Sequence, residues 1–308
     1  MGPPLLAIVG PTASGKTDLA LALARQLPLE ILVADSRQVY RGMDVGTAKP
    51  DAAARAAVRH HLIDVAEPDE AFTVADWVAR ARLLLPEIAA RGRLPLVVAG
   101  TGLYLAALVD GHDYERQAFS PEARQRLAAE LEAAGLPALA DRLVQLDALG
   151  AARTDLRNPR RVLRALERVE AGGGAASIGA QPYPGRLALI GIRRPRDVLG
   201  RRIDERAARL FASGLLDETR HLLDAGHPPE LPALSGHGYR EAAAHLLGEW
   251  SVEEAIASTA RRTRQYAKRQ LSWFRRDPRV VWIDAGERQG DDAELVAEAS
   301  QTLRALLN

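Results

Sequence analysis

The chain has 308 residues, 47% hydrophobic and 26% charged, with a formal net charge of +1, which suits one large globular domain plus a second or an insertion and excludes intrinsic disorder. It contains no cysteine, so disulfides and cysteine-based zinc sites are excluded, in keeping with a reducing compartment. No apolar run approaches the roughly 20 residues that span a bilayer, and the first residues lack a secretory signal pattern; a soluble, cytoplasmic protein with no membrane partner is expected.

Leu5-Leu6-Ala7-Ile8-Val9 predicts a buried strand, and Leu19, Ala20, Leu23, Ala24 and Leu27 recur at helical spacing. Between them stand Gly10, Pro11, Thr12, Ala13, Ser14, Gly15, Lys16 and Thr17, which fit the phosphate-cradling pattern G-x-x-x-x-G-K-S/T in the strand, loop and helix setting it requires. The glycines let successive N–H groups point inward, and the helix offers its positive dipole end to an anion. Lys16 adds a mobile cation, and Thr17 a hydroxyl for a phosphate-bound Mg²⁺. Kinases, NTPases and other transferases share this loop, so it suits ATP as well as a diphosphate.

The next strand, 31–34, ends at Asp35, followed by Ser36-Arg37-Gln38. Ligands of open α/β sheets bind beyond the carboxyl ends of strands, so Asp35 is expected beside the phosphate loop. Three roles are open to it: assisting Mg²⁺, accepting a proton from a nucleophile, or capping the following turn. A third strand, 96–99, leads into Gly100-Thr101-Gly102, where the glycines allow close backbone approach and the Thr101 hydroxyl can donate or accept. With further strands at 187–192 and 280–283, the pattern predicts an α/β fold: a P-loop NTPase-like parallel sheet flanked by helices.

One long gap interrupts the alternation. Pro121-Glu122 opens a candidate helix, Leu136-Pro137 interrupts it, Asn158-Pro159 opens another through Glu170, and the run Gly172-Gly173-Gly174 ends it. The expected organisation is residues 1–110 as the first part of the core, 111–185 as a helical insertion domain, and 186–308 as the return to the core with basic C-terminal helices. Residues 261–279 carry eight basic side chains against the single acid Asp277, and residues 153–168 hold a second arginine-rich stretch. Local patches of this kind suit an enzyme that binds nucleic acid without being basic overall, though a solvated helix face reads the same way. Over 256–274, overlapping the first patch, Ile256, Ala260, Ala267, Leu271 and Phe274 form an apolar stripe beside a basic one, interleaved with Tyr266 and Trp273.

Other signatures are missing. Neither asparagine of the chain is followed by lysine, so the guanine-reading N-K-x-D is absent, as are D-D-x-x-D, G-x-S-x-G and H-E-x-x-H. The residues alone leave three readings: a group transferase, a small-molecule or nucleoside kinase, and a non-catalytic RNA-binding module.

Six blocks in order, GPTASGKT (10–17), ADSRQVYRGMDVGTAKP (34–50), HHLIDV (60–65), GTGLYL (100–105), RRVLRALE (160–167) and TRQYAKRQLSWFR (263–275), resemble the tRNA dimethylallyltransferases, isopentenyl transferases acting on the adenosine 3′ of the anticodon. The resemblance implies transfer of a dimethylallyl group from dimethylallyl diphosphate to the exocyclic N6 amine, with release of diphosphate. It implies Asp35 as general base, Thr101 as hydrogen-bond partner of the amine or the departing oxygen, and Arg206 as a clamp on the diphosphate. The loop residues 10–17 then hold a leaving group, with Mg²⁺ near Thr17. Ser36, Arg37 and Gln38 would touch the extruded base, while Arg160, Arg161 and Arg164 in the insertion, and Arg264, Gln265, Lys268, Arg269 and Gln270, would grip the anticodon stem-loop. A monomer is expected. The chain departs from the family pattern at Ala99-Gly100, at Pro159 after Asn158, and at His237.

Overall fold

The computed structural model describes residues 2–111, 120–173 and 181–307. In chain order, β1 (Leu5–Val9), α1 (Lys16–Ala24), β2 (Leu29–Ala34), α2 (Ala52–Ala57), β3 (His60–His61), α3 (Val74–Ala90), β4 (Leu94–Ala99) and α4 (Gly102–Asp110) come first. Three helices follow, α5 (Pro121–Leu146), α6 (Ala148–Ala152) and α7 (Pro159–Glu170). The chain then continues through β5 (Leu187–Arg193), α8 (Arg196–Ala212), α9 (Leu215–Asp224), α10 (Tyr239–Leu246), α11 (Val252–Phe274), β6 (Val280–Asp284) and α12 (Ala293–Leu307). Residues of Met1–Leu105 with Pro184–Asn308 form one compact unit, and Ala106–Tyr183 a second.

The first unit is built on a six-stranded sheet in the order β3-β2-β4-β1-β5-β6, parallel throughout. Five of its strands are visible in the sequence as apolar runs; β3, only two residues long, is too short to show a period. On one face Leu19 and Leu23 of α1 and Leu295, Val296 and Leu303 of α12 pack against Leu6, Ile8, Ile31 and Ile190. On α3, Trp77 is fully buried and donates its indole N–H to Val33 O at 2.9 Å, a carbonyl beyond the reach of β3, whose pairing with β2 ends at Leu32. Register places the site: Val9 pairs with Ala99 and Ala34 with Ala99, so Gly10, Asp35 and Gly100 leave the sheet side by side.

His60 and His61 hold no metal arrangement; His61 Nε2 lies 2.7 Å from Glu30 Oε2, and Arg91 grips the same carboxylate at 2.9 and 2.7 Å. These contacts hold Glu30 down at about 2, the Arg91 hydrogen bond most of all.

The second unit has its own core of Leu127, Leu139, Leu143, Val162 and Leu166. Its first helix breaks at Gly135, with φ 79 and ψ 165, one residue before the expected Leu136-Pro137. Glycine adopts that conformation without strain, and Pro137 then sits in the first turn of the new segment, where its missing N–H costs nothing. Helix α7 runs Pro159–Glu170, capped by Asn158 accepting from Arg161 N; Gly172 follows at φ 80, and Gly174 of that run lies outside the described residues.

The stripe on α11 differs from the apolar one expected. Ala260, Ala267 and Phe274 are buried, together with Ser258, Thr259 and Gln270, whereas Ile256 and Leu271 lie half-buried at its edges. The helix reserves polar side chains for the site beneath it.

Candidate active site

The phosphate loop leaves β1 with Gly10 at φ 148, Ala13 at φ 61 and Gly15 at φ 94. A Cβ on Gly10 would fall 2.6 Å from Ile192 O, so close strand packing adds to the backbone requirement for glycine. Lys16 Nζ donates to Pro11 O at 2.7 Å, folding back over the curl. Lost hydration, followed by the charge of Arg206, pulls its ammonium from 10.5 to about 7, with Asp35 opposing. Ser14 Oγ and Arg194 Nη2 are buried and lack a hydrogen-bond partner among the described residues. Buried donors left unpaired are costly.

Supports invisible in the sequence hold this loop from outside. Arg194 Nε donates to Ser14 O at 2.8 Å and its Nη1 to Gly286 O at 2.8 Å. Arg202 Nε donates to Ala13 O at 2.9 Å. Gln270 is 6% exposed; its Oε1 accepts from Thr12 N at 2.8 Å and its Nε2 donates to Gly100 O at 2.7 Å. It therefore ties the loop to the end of β4 and does not face outward, which corrects its expected place on the RNA-gripping surface. Buried and engaged at both amide ends, the side chain presents almost no surface to a phosphate.

Asp35 caps the turn that follows it, one of the roles open to it. Its Oδ1 accepts from Arg37 N at 2.8 Å and Gln38 N at 3.4 Å, capping the turn, and its Oδ2 would lie 3.3 Å from a Cβ on Gly100, at the mouth formed by β2 and β4. Thr101 Oγ1 accepts from Ser36 N at 3.3 Å and interacts with the Tyr266 hydroxyl. Arg206 is half-buried; the charges of Asp35 and Asp18 partly offset the cost of its burial, and its Nη2 reaches Thr47 O at 3.5 Å. Gln38 Nε2 donates to the same carbonyl at 3.1 Å. That carbonyl is fixed by a carboxylate nest: Glu218 accepts from Asp44 N, Val45 N and Gly46 N at 2.8, 2.7 and 3.0 Å and from the Tyr239 hydroxyl at 2.5 Å.

Other expected contacts are redirected. The Arg37 guanidinium turns to Pro232 O, to Ala233 O at 3.2 Å and to Ser235 Oγ at 2.9 Å. It braces the 3-10 turn Ala233–Ser235. Arg264 is paired with Asp204. Arg262, in the same basic run, ties down the fully buried Glu241. Gln265, Lys268, Arg269, Arg275 and Arg276 are exposed. His237 sets its ring edge-on to Tyr266, centroids 5.3 Å apart, and burial first and the Arg262 charge second push its pKa down to about 4; it stays neutral at physiological pH. In the second unit Arg160 and Arg161 are exposed, whereas Arg164 donates to Glu167 at 2.8 Å.

No three His, Cys, Asp or Glu side chains among the described residues converge on a metal position. A Mg²⁺ ion fits only in the manner of phosphate sites, bound chiefly by ligand oxygens with a hydroxyl such as that of Thr17. No helix among the described residues is long and apolar enough to cross a membrane.

A parallel sheet with a glycine-rich loop after β1, an acid after β2 and a threonine after β4 defines a P-loop NTPase-like fold with a group-transfer site at the carboxyl ends of its strands. The chain belongs to the IPP transferase family, whose model matches residues 38–277. A protein named tRNA dimethylallyltransferase from Roseiflexus sp. (strain RS-1) is 47% identical over 302 residues, covering 96% of this chain and 98% of that one. The structure of a tRNA isopentenylpyrophosphate transferase from Bacillus halodurans matches with a TM-score of 0.74 at 40% identity, covering 99% of this chain and 96% of the other. A eukaryotic dimethylallyltransferase acting on tRNA shares the fold, with a TM-score of 0.80 at 22% identity over 96% of this chain and 77% of that one.

Proposed function

We propose that this protein transfers a dimethylallyl group from dimethylallyl diphosphate to the exocyclic N6 amine of the adenosine 3′ of the anticodon in tRNA. The observation that carries the reading is the side-by-side emergence of the phosphate loop, Asp35 and Thr101 from paired strands, in a chain of the IPP transferase family.

In the reaction the amine nitrogen attacks the first carbon of the dimethylallyl group, the new C–N bond forms, and the C–O bond breaks with its electron pair leaving on the diphosphate. The amine is a weak nucleophile because its lone pair is delocalised, so placement and proton removal matter most. Asp35, with Oδ1 committed to the turn, keeps Oδ2 for the amine proton. Thr101 accepts from Ser36 N–H and bonds the Tyr266 hydroxyl, and its second lone pair is the partner for an amine N–H. The loop amides, Lys16 and Arg206 collect the charge that develops on the departing oxygen. The Thr17 hydroxyl would help hold a diphosphate-bound Mg²⁺, which would supply further charge neutralisation. The target base leaves its stack to enter the site, Ser36 and Gln38 stand at its entry, and the exposed cations of α11 and, on the second unit, of α7 serve RNA phosphates. The enzyme acts in the cytoplasm as a monomer.

The test is to incubate the protein with dimethylallyl diphosphate, Mg²⁺ and an anticodon stem-loop bearing adenosine at the target position, then weigh the RNA. A mass gain of one dimethylallyl unit in place of hydrogen is expected. An unchanged mass, or ATP-dependent phosphorylation of a small metabolite instead, overturns the reading.

A further inference from the structure

One feature of the site has no place in this chemistry. Trp273 is 44% exposed, although its neighbour Phe274 is 2% exposed and packs α11 onto the core. The indole lies directly on Gly102, the residue after Thr101: a Cβ there would fall 2.2 Å from Cδ1 and 2.4 Å from Nε1. The glycine thus provides a flat seat for the ring, and the ring's outer part remains open to solvent. An exposed indole forgoes hydrophobic stabilisation unless something covers it.

Its surroundings say what that is. Tyr266, Arg269 and Trp273 follow one another at spacings of three and four on α11, hence on one helical face. Tyr266 addresses Thr101, and the Arg269 guanidinium lies 5.7 Å from the Tyr266 ring centroid. Arg269 and Arg276, both exposed, lie four residues before and three residues after Trp273. Flat aromatic faces between cations suit stacked bases whose backbone phosphates run past them, whereas a five-carbon dimethylallyl chain calls for an enclosed, dry slot. We infer that Trp273 is a stacking platform for a nucleobase next to the target adenosine, seated on Gly102 beside Thr101. This rests on the proposed tRNA substrate and adds the binding position that holds the RNA loop while the target base is inside.

The experiment uses the full chain, an anticodon stem-loop and a non-reactive thio-analogue of dimethylallyl diphosphate. Stem-loop binding should quench tryptophan emission in the native protein, and the quench should largely vanish in Trp273→Phe. Trp273→Ala should weaken stem-loop affinity about tenfold with an unchanged salt dependence, Trp273→Phe should recover most of it, and affinity for the thio-analogue should stay the same. A quench that persists in Trp273→Phe, or native affinity in Trp273→Ala, overturns the inference while leaving the proposed function standing. A loss confined to the thio-analogue assigns the indole to the dimethylallyl group and also overturns it. A native protein that does not bind the stem-loop overturns the proposed function and the platform together.

Discussion

Beneath the phosphate loop the polar side chains end on backbone: Arg194 on Ser14 O and Gly286 O, Arg202 on Ala13 O, Gln270 between Thr12 N and Gly100 O. On the outer row of α11 the same residue types behave otherwise. Lys268, Arg275 and Arg276 are exposed, and Arg264 meets only the half-exposed Asp204. The first region pins the loop backbone through directed hydrogen bonds, the kind of preorganisation that charge stabilisation in a transition state requires. The second keeps long cations in water, where they lose little by exchanging solvent or a surface carboxylate for a phosphate. Substitutions in the two regions should therefore fail differently, the inner ones in chemistry or donor binding and the outer ones in RNA affinity and its salt dependence.

The sharpest test is Asp35→Asn. Asparagine keeps an oxygen for the Arg37 and Gln38 amides but cannot take the proton, so kcat should fall about 10²- to 10⁴-fold with stem-loop affinity and melting temperature close to native. A comparable loss of binding would make Asp35 an RNA contact instead of a base.

Next in size is the titration of Lys16. Its folded pKa, about 7 against an ordinary 10.5, means that the unfolded chain binds more protons between those values. The cost to stability is full below pH 7 and relieved as pH rises toward 10.5, so Lys16→Met should melt at a higher temperature than the native protein at neutral pH. Bound diphosphate demands the protonated amine. Donor affinity should therefore fall about tenfold per pH unit above 7 relative to Lys16→Arg, whose guanidinium does not titrate. Calorimetry with the thio-analogue across pH measures this; parallel profiles for the two proteins would show that Lys16 is not the titrating group.

The same contrast governs what the sequence discloses. The loop, Asp35 and Thr101 are legible because their spacing follows strand ends, and five strands show as apolar runs. The supports are not: nothing in the sequence links Gln270 to Thr12, 258 residues away, or Glu218 to the amides of residues 44–46. Charge runs mislead in a related way, since Arg262 and Arg264 look alike in sequence, yet one neutralises a buried glutamate and the other lies at the surface. Helical periodicity would have separated Gln270, in step with the buried Ala267 and Phe274, from the exposed Arg269.

Gln270→Leu probes one of those hidden supports. It leaves Thr12 N–H and Gly100 C=O unpaired, a loss of about 1–3 kcal/mol for each buried group. A lower melting temperature and a raised KM for the donor, with the salt dependence of RNA binding unchanged, are expected. A change in salt slope instead would return Gln270 to the RNA face.

The smallest effects belong to the outer cations, and they separate arginines that look equivalent. Arg161→Ala should lower the salt slope of stem-loop binding by about one with no change in melting temperature, since the side chain is exposed. Arg164→Ala removes a partner from Glu167, which is 5% exposed, so it should also loosen the second unit. Arg264 of α11 is paired with Asp204 of α8, and under the proposed function that carboxylate competes with RNA for it. Exposed pairs of this kind contribute about 0.2–1 kcal/mol, and Asp204→Asn should release the guanidinium and tighten stem-loop binding at low salt about twofold, with the gain vanishing as salt rises. Unchanged or weaker binding would mean that Arg264 serves α8 and not the RNA, and the outer row would then begin at Gln265 and Lys268.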